Sequence, residues 1–338
     1  VNSLKSIIIK LKKILNLMGK TPIIIVSGEP NSIFLEIFFK SIKIYQYQSP
    51  LIIIASKKLV QQQMKKLGFK FDINTIDKNF HKFNKLNNKE INLIDIEYKF
   101  NNCFEKISSK SNNYIRKSFE VALDIIQQNK LSKFINGPIS KKYFLQGKTL
   151  GITEYLEKKT RTTNNVAMLI FNKNLSVSPL TTHLPLKKVH KKISKQKIYN
   201  QVKLINNFYK KNFNKLPKIA ITGLNPHCES NFRDSEEEKI IIPAIKQLRL
   251  KNTKINGPFP ADTIFTKSLL KEYDVIIGMY HDQVLSPMKA LFNFDAINIT
   301  LGLPFIRISP DHGPNHPMLG KNLSDPQSLI QALKFLDK

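Results

Sequence analysis

Tryptophan is absent from this chain of 338 residues, cysteine occurs twice and glycine only 12 times. Cys103 and Cys228 lie far apart, which excludes a disulfide framework and suits a reduced, cytoplasmic protein. His227 precedes Cys228, so a ligand role for that thiol is an alternative to a free one. No apolar run approaches the roughly 20 residues that span a bilayer, so no membrane role is expected. Acidic residues are scarce, 25 against 54 Lys and Arg, which leaves a net charge of +29. Such a charge could address nucleic acid or an anionic surface. The lysines are scattered, as AT-rich coding would scatter them, and neither an Arg-rich arm nor an aromatic-basic repeat occurs. No nucleic-acid partner is therefore expected, although this surface suits anionic substrates. The nucleotide motifs are missing too. Gly28 is the one glycine after the first strand, where a dinucleotide fold would need three, and there is no Walker sequence and no G-x-S-x-G elbow.

What is present is an alternation of β-branched runs and helical patterns. Thr21 to Val26 and Leu51 to Ala55 read as buried parallel strands, and Lys57 to Leu67 as a helix stopped by Gly68. Asp72 to Asn113 is irregular, with short strands near Ile91–Ile96. Ile115, Phe119, Ala122 and Ile126 mark one face of a helix. Further strands are expected at Phe134–Ile135, Val166–Phe171, Leu175–Leu180, Lys218–Thr222 and Val275–Met279, with one more run ending in Asn298. A helix is expected from Lys195 to Asn212, a second capped by Ser235 with Glu238, and a last one capped by Ser324 with Gln327. Asn256 to Thr263 reads as a rigid loop. The alternation implies an α/β fold built on a parallel sheet. Residues 1–17 read as an extension, either a membrane-surface helix or sequence ahead of a start at Met18: Leu4, Ile8, Leu11, Leu15 and Met18 fall at helical spacing among lysines.

Three histidines share one context. His183, His227 and His281 each follow an apolar strand and lie in a short turn. Parallel strands bring their C-terminal ends to one edge, where three imidazoles with an open position would suit a divalent ion. A capping or hydrogen-bonding role for each is the alternative. His312 shares part of the context. Lys289 and Arg307 are candidates to bind an anionic group such as phosphate.

Six segments together resemble the 4-hydroxythreonine-4-phosphate dehydrogenase family of vitamin B6 (pyridoxal phosphate) biosynthesis. They are S-G-E-P at 27–30, N-G-P-I-S-K at 136–141, T-T-H-L-P-L at 181–186, G-L-N-P-H at 223–227, N-G-P-F-P-A-D-T at 256–263, and Y-H-D-Q at 280–283 through F-I-R-I-S at 305–309. The resemblance implies two α/β/α domains with an interdomain cleft, like isocitrate and isopropylmalate dehydrogenases. The first would comprise 18–135 with 300–338. The second, 136–299, would carry most of the metal and substrate site. It also implies NAD bound without the glycine fingerprint, and a homodimer whose active site is shared between subunits. His183, His227 and His281 would be the metal ligands for Zn²⁺, Mg²⁺ or Co²⁺, and Thr153, Lys289, Asn298 and Arg307 the substrate contacts. The reaction implied is oxidation of 4-phosphooxy-L-threonine to 2-amino-3-oxo-4-phosphooxybutanoate, which decarboxylates to 3-amino-2-oxopropyl phosphate. Asp262, Asp282 and Lys141 are the candidates for proton acceptor.

The departures from the family pattern fall on substrate and cofactor contacts. Ile152 stands where the family has His in G-H-T-E, and Ser140 where it commonly has His. Asn31, Ser32 and Phe34 replace the small residues of the first turn. They leave two alternatives open: a family member oxidising a phosphorylated threonate or erythronate, or a drifted, non-catalytic metal- or anion-binding protein.

Overall fold

The computed structural model describes residues 21–147, 149, 151–162, 166–228, 233–293, 295–310 and 312–337. The expectations for residues 1–17 and Met18 lie outside the described residues. The chain divides into two compact units, one comprising the described residues up to 147 with those from Arg307 onward, the other running from Thr149 to Ile306.

The first unit is built on β1 (Ile23–Val26), β2 (Leu51–Ala55), β3 (Ile73–Thr75), β4 (Ile91–Asp95), β5 (Lys133–Asn136) and β12 (Ile306–Pro310), in the order β3-β4-β2-β1-β5-β12. β1 pairs in parallel with β2 and β5, and β4 with β2 and β3. All four residues of β1 are fully buried, which is why its sequence is a continuous apolar run rather than an alternating one. Its helices are α1 (Phe34–Ile44), α2 (Lys57–Lys66), α3 (Asn112–Gln128) and the C-terminal Gln327–Leu336. α2 starts as its sequence suggests, with Ser56 accepting from the Leu59 N–H, and Gly68 follows it at φ 75°.

The second unit orders its strands β11-β6-β7-β10-β8-β9: β6 (Ala167–Phe171), β7 (Ser176–Pro179), β8 (Ile219–Thr222), β9 (Ile255–Phe259), β10 (Val275–Gly278) and β11 (Ile297–Leu301). β7, β10, β8 and β9 are mutually parallel where they pair, whereas β6 runs antiparallel to both β7 and β11. Its helices are α4 (Ile152–Lys159), α5 (Lys195–Phe213), α6 (Ile242–Leu250), the short α7 (Lys267–Leu270) and α8 (His281–Phe292); the C-terminal helix of the first unit is α9. A core of Met168, Ile170, Val177, Ala220, Ile276, Val284 and Met288 joins the sheet to α8.

The α/β expectation is met, and four local readings are corrected. α1 went unread although its sequence carries a helical period: Glu36, Lys40 and Lys43 fall at i, i+4 and i+7 among the buried Phe34, Leu35, Ile37, Phe38 and Phe39. The residues between β10 and Asn298 form α8 with Pro287 inside it, and β11 begins at Ile297 rather than ending at Asn298. The expected loop at 256–263 is entered by β9, an edge strand that tolerates Gly257 and Pro258. Ser324 does not cap α9. Its N–H donates to Glu36 Oε1 at 2.6 Å, and Asp325 accepts from the Gln327 N–H at 2.9 Å. Ser235 does accept from the Glu238 N–H, ahead of a π-turn at Glu237–Ile241, and Pro243 occupies the first turn of α6.

Candidate active site

Two of the three histidines meet because of strand register. Parallel pairing sets Gly278 of β10 beside Pro179 of β7. Beyond that pair the backbones stay joined, Leu180 N–H donating to Gly278 O at 2.7 Å and Thr181 N–H to Met279 O at 3.2 Å. His183 and His281 follow within two residues of those bonds, and their ring centroids lie 5.8 Å apart. With metal–nitrogen bonds of about 2.1 Å, two imidazoles on one ion place their centroids roughly 5–6 Å apart. The pair therefore fits a shared ion. His281 Nδ1 is 2.7 Å from Asp282 Oδ1, which holds that nitrogen as the donor and leaves Nε2 to act as a ligand.

His227 stands at the end of β8, which pairs with β10 on its other side. It sits in a left-handed turn at φ 57°, with Cys228 also at φ 57°. Two such residues in succession mark a backbone held in place by its surroundings. Among the described residues no group of three or more His, Cys, Asp or Glu is arranged to hold a metal. Of the three histidine candidates the structure therefore brings His183 and His281 together and does not bring His227, at the neighbouring strand end, into a group with them.

The chemistry around His183 includes a residue that sequence reasoning quoted but gave no role. Glu154, in the first turn of α4, has Oε1 3.4 Å from the Thr182 hydroxyl, while its buried Oε2 has no hydrogen-bond partner among the described residues. Gly151, at the start of that helix, has no room for a side chain: a Cβ would lie 2.8 Å from Glu154 Oε2 and 3.2 Å from the His183 ring. A buried carboxylate oxygen without a donor is costly unless a cation or donor meets it. Ile152 occupies the first helical position, and Thr153 beside it is buried.

In the same unit Lys289 lies on α8, where burial pushes its ammonium below the ordinary lysine pKa. Asn298 lies on β11, and its buried Oδ1 has no partner among the described residues. Asp262 is exposed in the turn after β9, and Asp282 is engaged by His281. In the first unit Lys141 is exposed at the start of a π-turn capped by Ser140, whose hydroxyl accepts from the Tyr143 N–H. Arg307, 1% exposed, donates from Nε to Asn136 Oδ1 at 2.7 Å.

The altered first turn is fully built into the first unit. Phe34 is buried with its ring against Gly137, where a Cβ would lie 2.7 Å from Phe34 Cγ. Ser32 donates to Glu29 O at 2.7 Å, and Asn31 donates to the Tyr98 hydroxyl and accepts from the Glu105 N–H. Glu29 is held by the Ser111 hydroxyl at 2.9 Å and by the Asn31 N–H, and burial nevertheless raises its carboxyl above the ordinary value.

Residues 46–336 match the family described as pyridoxal phosphate biosynthetic protein PdxA. The chain is 38% identical over 313 residues to 4-hydroxythreonine-4-phosphate dehydrogenase of Sulfurihydrogenibium sp. (strain YO3AOP1), covering 91% of this chain and 95% of that one. It is 30% identical to a protein of Oceanobacillus iheyensis provisionally named D-threonate 4-phosphate dehydrogenase, covering 94% and 97%. Among solved structures, 4-hydroxythreonine-4-phosphate dehydrogenase from Klebsiella pneumoniae superposes with a TM-score of 0.79 at 25% identity, covering 94% of this chain and 97% of that one.

Proposed function

Because the chain belongs to the PdxA family of pyridoxal phosphate biosynthetic proteins, and so is an oxidoreductase, we propose that it oxidises 4-phosphooxy-L-threonine to 2-amino-3-oxo-4-phosphooxybutanoate with NAD⁺ and a divalent metal. Decarboxylation to 3-amino-2-oxopropyl phosphate would follow. The observation that carries this reading is the His183–His281 pair on adjoining strand ends, with Asp282 on the outer nitrogen of His281.

His183, His281 and His227 would hold the ion, and Zn²⁺, Mg²⁺ and Co²⁺ all suit the reading. A metal held there would supply a lowered pKa at the substrate hydroxyl, and NAD⁺ would supply the hydride acceptor. The chain's own residues do the rest. Asp282 fixes the His281 tautomer. Asn298 offers a buried amide oxygen to a substrate donor, and Thr153 stands one residue from Ile152 at the start of α4. Lys289, whose charge burial disfavours, would be drawn back toward its charged form by an anion. The motif alone assigns Arg307 to the substrate; Asn136 holds one edge of its guanidinium and so sets its plane. The same reading makes the protein a cytoplasmic homodimer with its active site shared between subunits.

Ile152 raises a second reading of the substrate, because an apolar side chain stands where the family's histidine would contact it. A phosphorylated threonate, which the Oceanobacillus relative is named for, is that alternative. NADH formation with 4-phosphooxy-L-threonine and with D-threonate 4-phosphate, for the native chain and Ile152→His, decides between them. We expect the first substrate to be preferred, with Ile152→His lowering its KM. Preference for the threonate by the native chain would reverse the assignment.

A further inference from the structure

Parallel sheets take their ligands beyond the C-terminal ends of the strands, first of all where the strand order reverses. In the first unit that point lies between β1 and β5, because the chain leaves β1 toward β2 and comes back on the other side of β1 as β5. The protein itself fills it. A Cβ on Gly28 would lie 2.4 Å from Pro138 O, and one on Gly137 would lie 2.2 Å from Ser27 O and 2.7 Å from the Phe34 ring. The open space lies further along the same edge, at the ends of β2 and β4. There a cavity of about 460 Å³ is lined by Ser56, Lys58, Glu97, Tyr98, Phe100 and Lys110 among others. That volume falls in the roughly 300–1,000 Å³ range of small-molecule sites.

The wall of this cavity is fixed from behind by buried polar side chains. Asn31, 1% exposed, donates from Nδ2 to the Tyr98 hydroxyl at 3.2 Å and accepts from the Glu105 N–H at 3.0 Å. Gln63, equally buried, donates to Cys103 O at 2.8 Å and to Pro30 O at 3.2 Å. Residues 98–105 are thereby held to the altered first turn, which gives Asn31 a role that a small side chain could not fill. What the wall presents is chemically mixed. Phe100 is half-buried and stacked on Tyr98, with centroids 5.8 Å apart at 22°, and the exposed Lys58 reaches over its ring at 5.7 Å. Asp95 Oδ1 is engaged by the Lys57 N–H at 2.8 Å, and Glu105 Oε1 by the Asn101 and Asn102 N–H groups at 2.7 and 3.0 Å. Glu97 is exposed and makes no hydrogen bond among the described residues, and Lys99 and Lys110 are exposed beside it. An aromatic platform, an open carboxylate and several ammonium groups on one cavity match a planar base, a ribose diol and a pyrophosphate.

We infer that this cavity takes the ADP half of NAD⁺, with adenine against Phe100, the ribose hydroxyls at Glu97 and the pyrophosphate among Lys58, Lys99 and Lys110. The inference rests on the NAD⁺ reading of the reaction and supplies a site that the missing glycine fingerprint leaves unplaced. An aromatic ring holds a base through its π-face, and Lys58 can leave the ring for a phosphate because an exposed cation–π contact is weak. The N-terminus of α2 is already closed by Ser56 and Asp95, so ammonium groups rather than helix amides meet the anion.

The test titrates ADP-ribose and NAD⁺ into the full chain by calorimetry, with circular dichroism to follow the fold, and reads KM for NAD⁺ alongside. ADP-ribose is expected to bind and to compete with NAD⁺. Phe100→Ala should weaken it by about 5–100-fold, the span of one lost base–aromatic stack, and raise KM for NAD⁺ in step. Glu97→Gln should weaken it several-fold. The double variant Lys58→Ala with Lys110→Ala should weaken it too and flatten its dependence on salt. These exposed positions decide the matter if Phe100→Ala does not fold. Wild-type affinity for ADP-ribose in Glu97→Gln and in the lysine double variant, set against a native chain that binds both ligands, would overturn the inference alone. ADP-ribose binding that leaves NAD⁺ binding unaffected would do the same. A native chain that binds neither ligand would overturn the NAD⁺ reading and this inference with it.

Discussion

Individual polar residues in this chain take their roles from burial. Glu29 and Glu237 are both carboxylates at the 1% exposure level, yet their environments push them in opposite directions. Glu237 meets enough donors to stay charged. Its contribution to stability is present above the unfolded carboxylate pKa and is lost as pH falls through its lowered folded value. Glu29 is raised by burial despite its bonds to Ser111 and Asn31. Between its unfolded value and its raised folded value the native chain binds more protons than the unfolded one, so its contribution shrinks as pH rises through that window. Glu29→Gln removes this slope. The stability of the variant relative to the native chain, measured by urea unfolding at several pH values, should improve as pH rises from the acid side toward neutrality. A difference that stays constant with pH would contradict the assignment of Glu29.

Whole elements show why some of the fold was legible and some was not. β1, β2, β8 and β10 announced themselves as short apolar runs rich in β-branched residues because parallel strands buried on both faces have no polar face to interrupt them. The histidines were legible for the related reason that parallel strands deliver their C-terminal ends to one edge. α8 was not legible because Pro287 interrupts its pattern, whereas α1 does carry a helical period in Glu36, Lys40 and Lys43. Gln283 and Glu237 were invisible in a different way. Their partners are backbone groups together with the Thr222 hydroxyl and the Asn225 amide, and for Gln283 the Thr222 and Gly223 groups lie 61 and 60 residues away, which no local pattern reports. At this scale Phe34 is informative. It opens α1 against Gly137 rather than leaving room for a ligand. Phe34→Ala should cost about 3–5 kcal/mol of stability by denaturant unfolding, as large core truncations do. A loss below about 1 kcal/mol would mean that the first turn is not built around this ring.

Taken whole, the molecule is an α/β enzyme whose family match runs through residues 46–336. No helix among the described residues is long and apolar enough to cross a membrane. The charge of +29 is spread along the chain and works over distance rather than at one site: a field of this sign attracts anions, and salt screens it. The central claim, however, is chemical. It is that the histidine-bearing strand ends of the second unit hold a metal that NAD-linked oxidation requires. The measurement that tests it most directly is NADH formation from NAD⁺ and 4-phosphooxy-L-threonine by the metal-stripped chain, before and after addition of Zn²⁺, Mg²⁺ or Co²⁺, with His281→Ala alongside. The account predicts turnover that appears only when metal is added and that His281→Ala abolishes together with metal binding. Equal turnover without metal, or full turnover by His281→Ala, would contradict it.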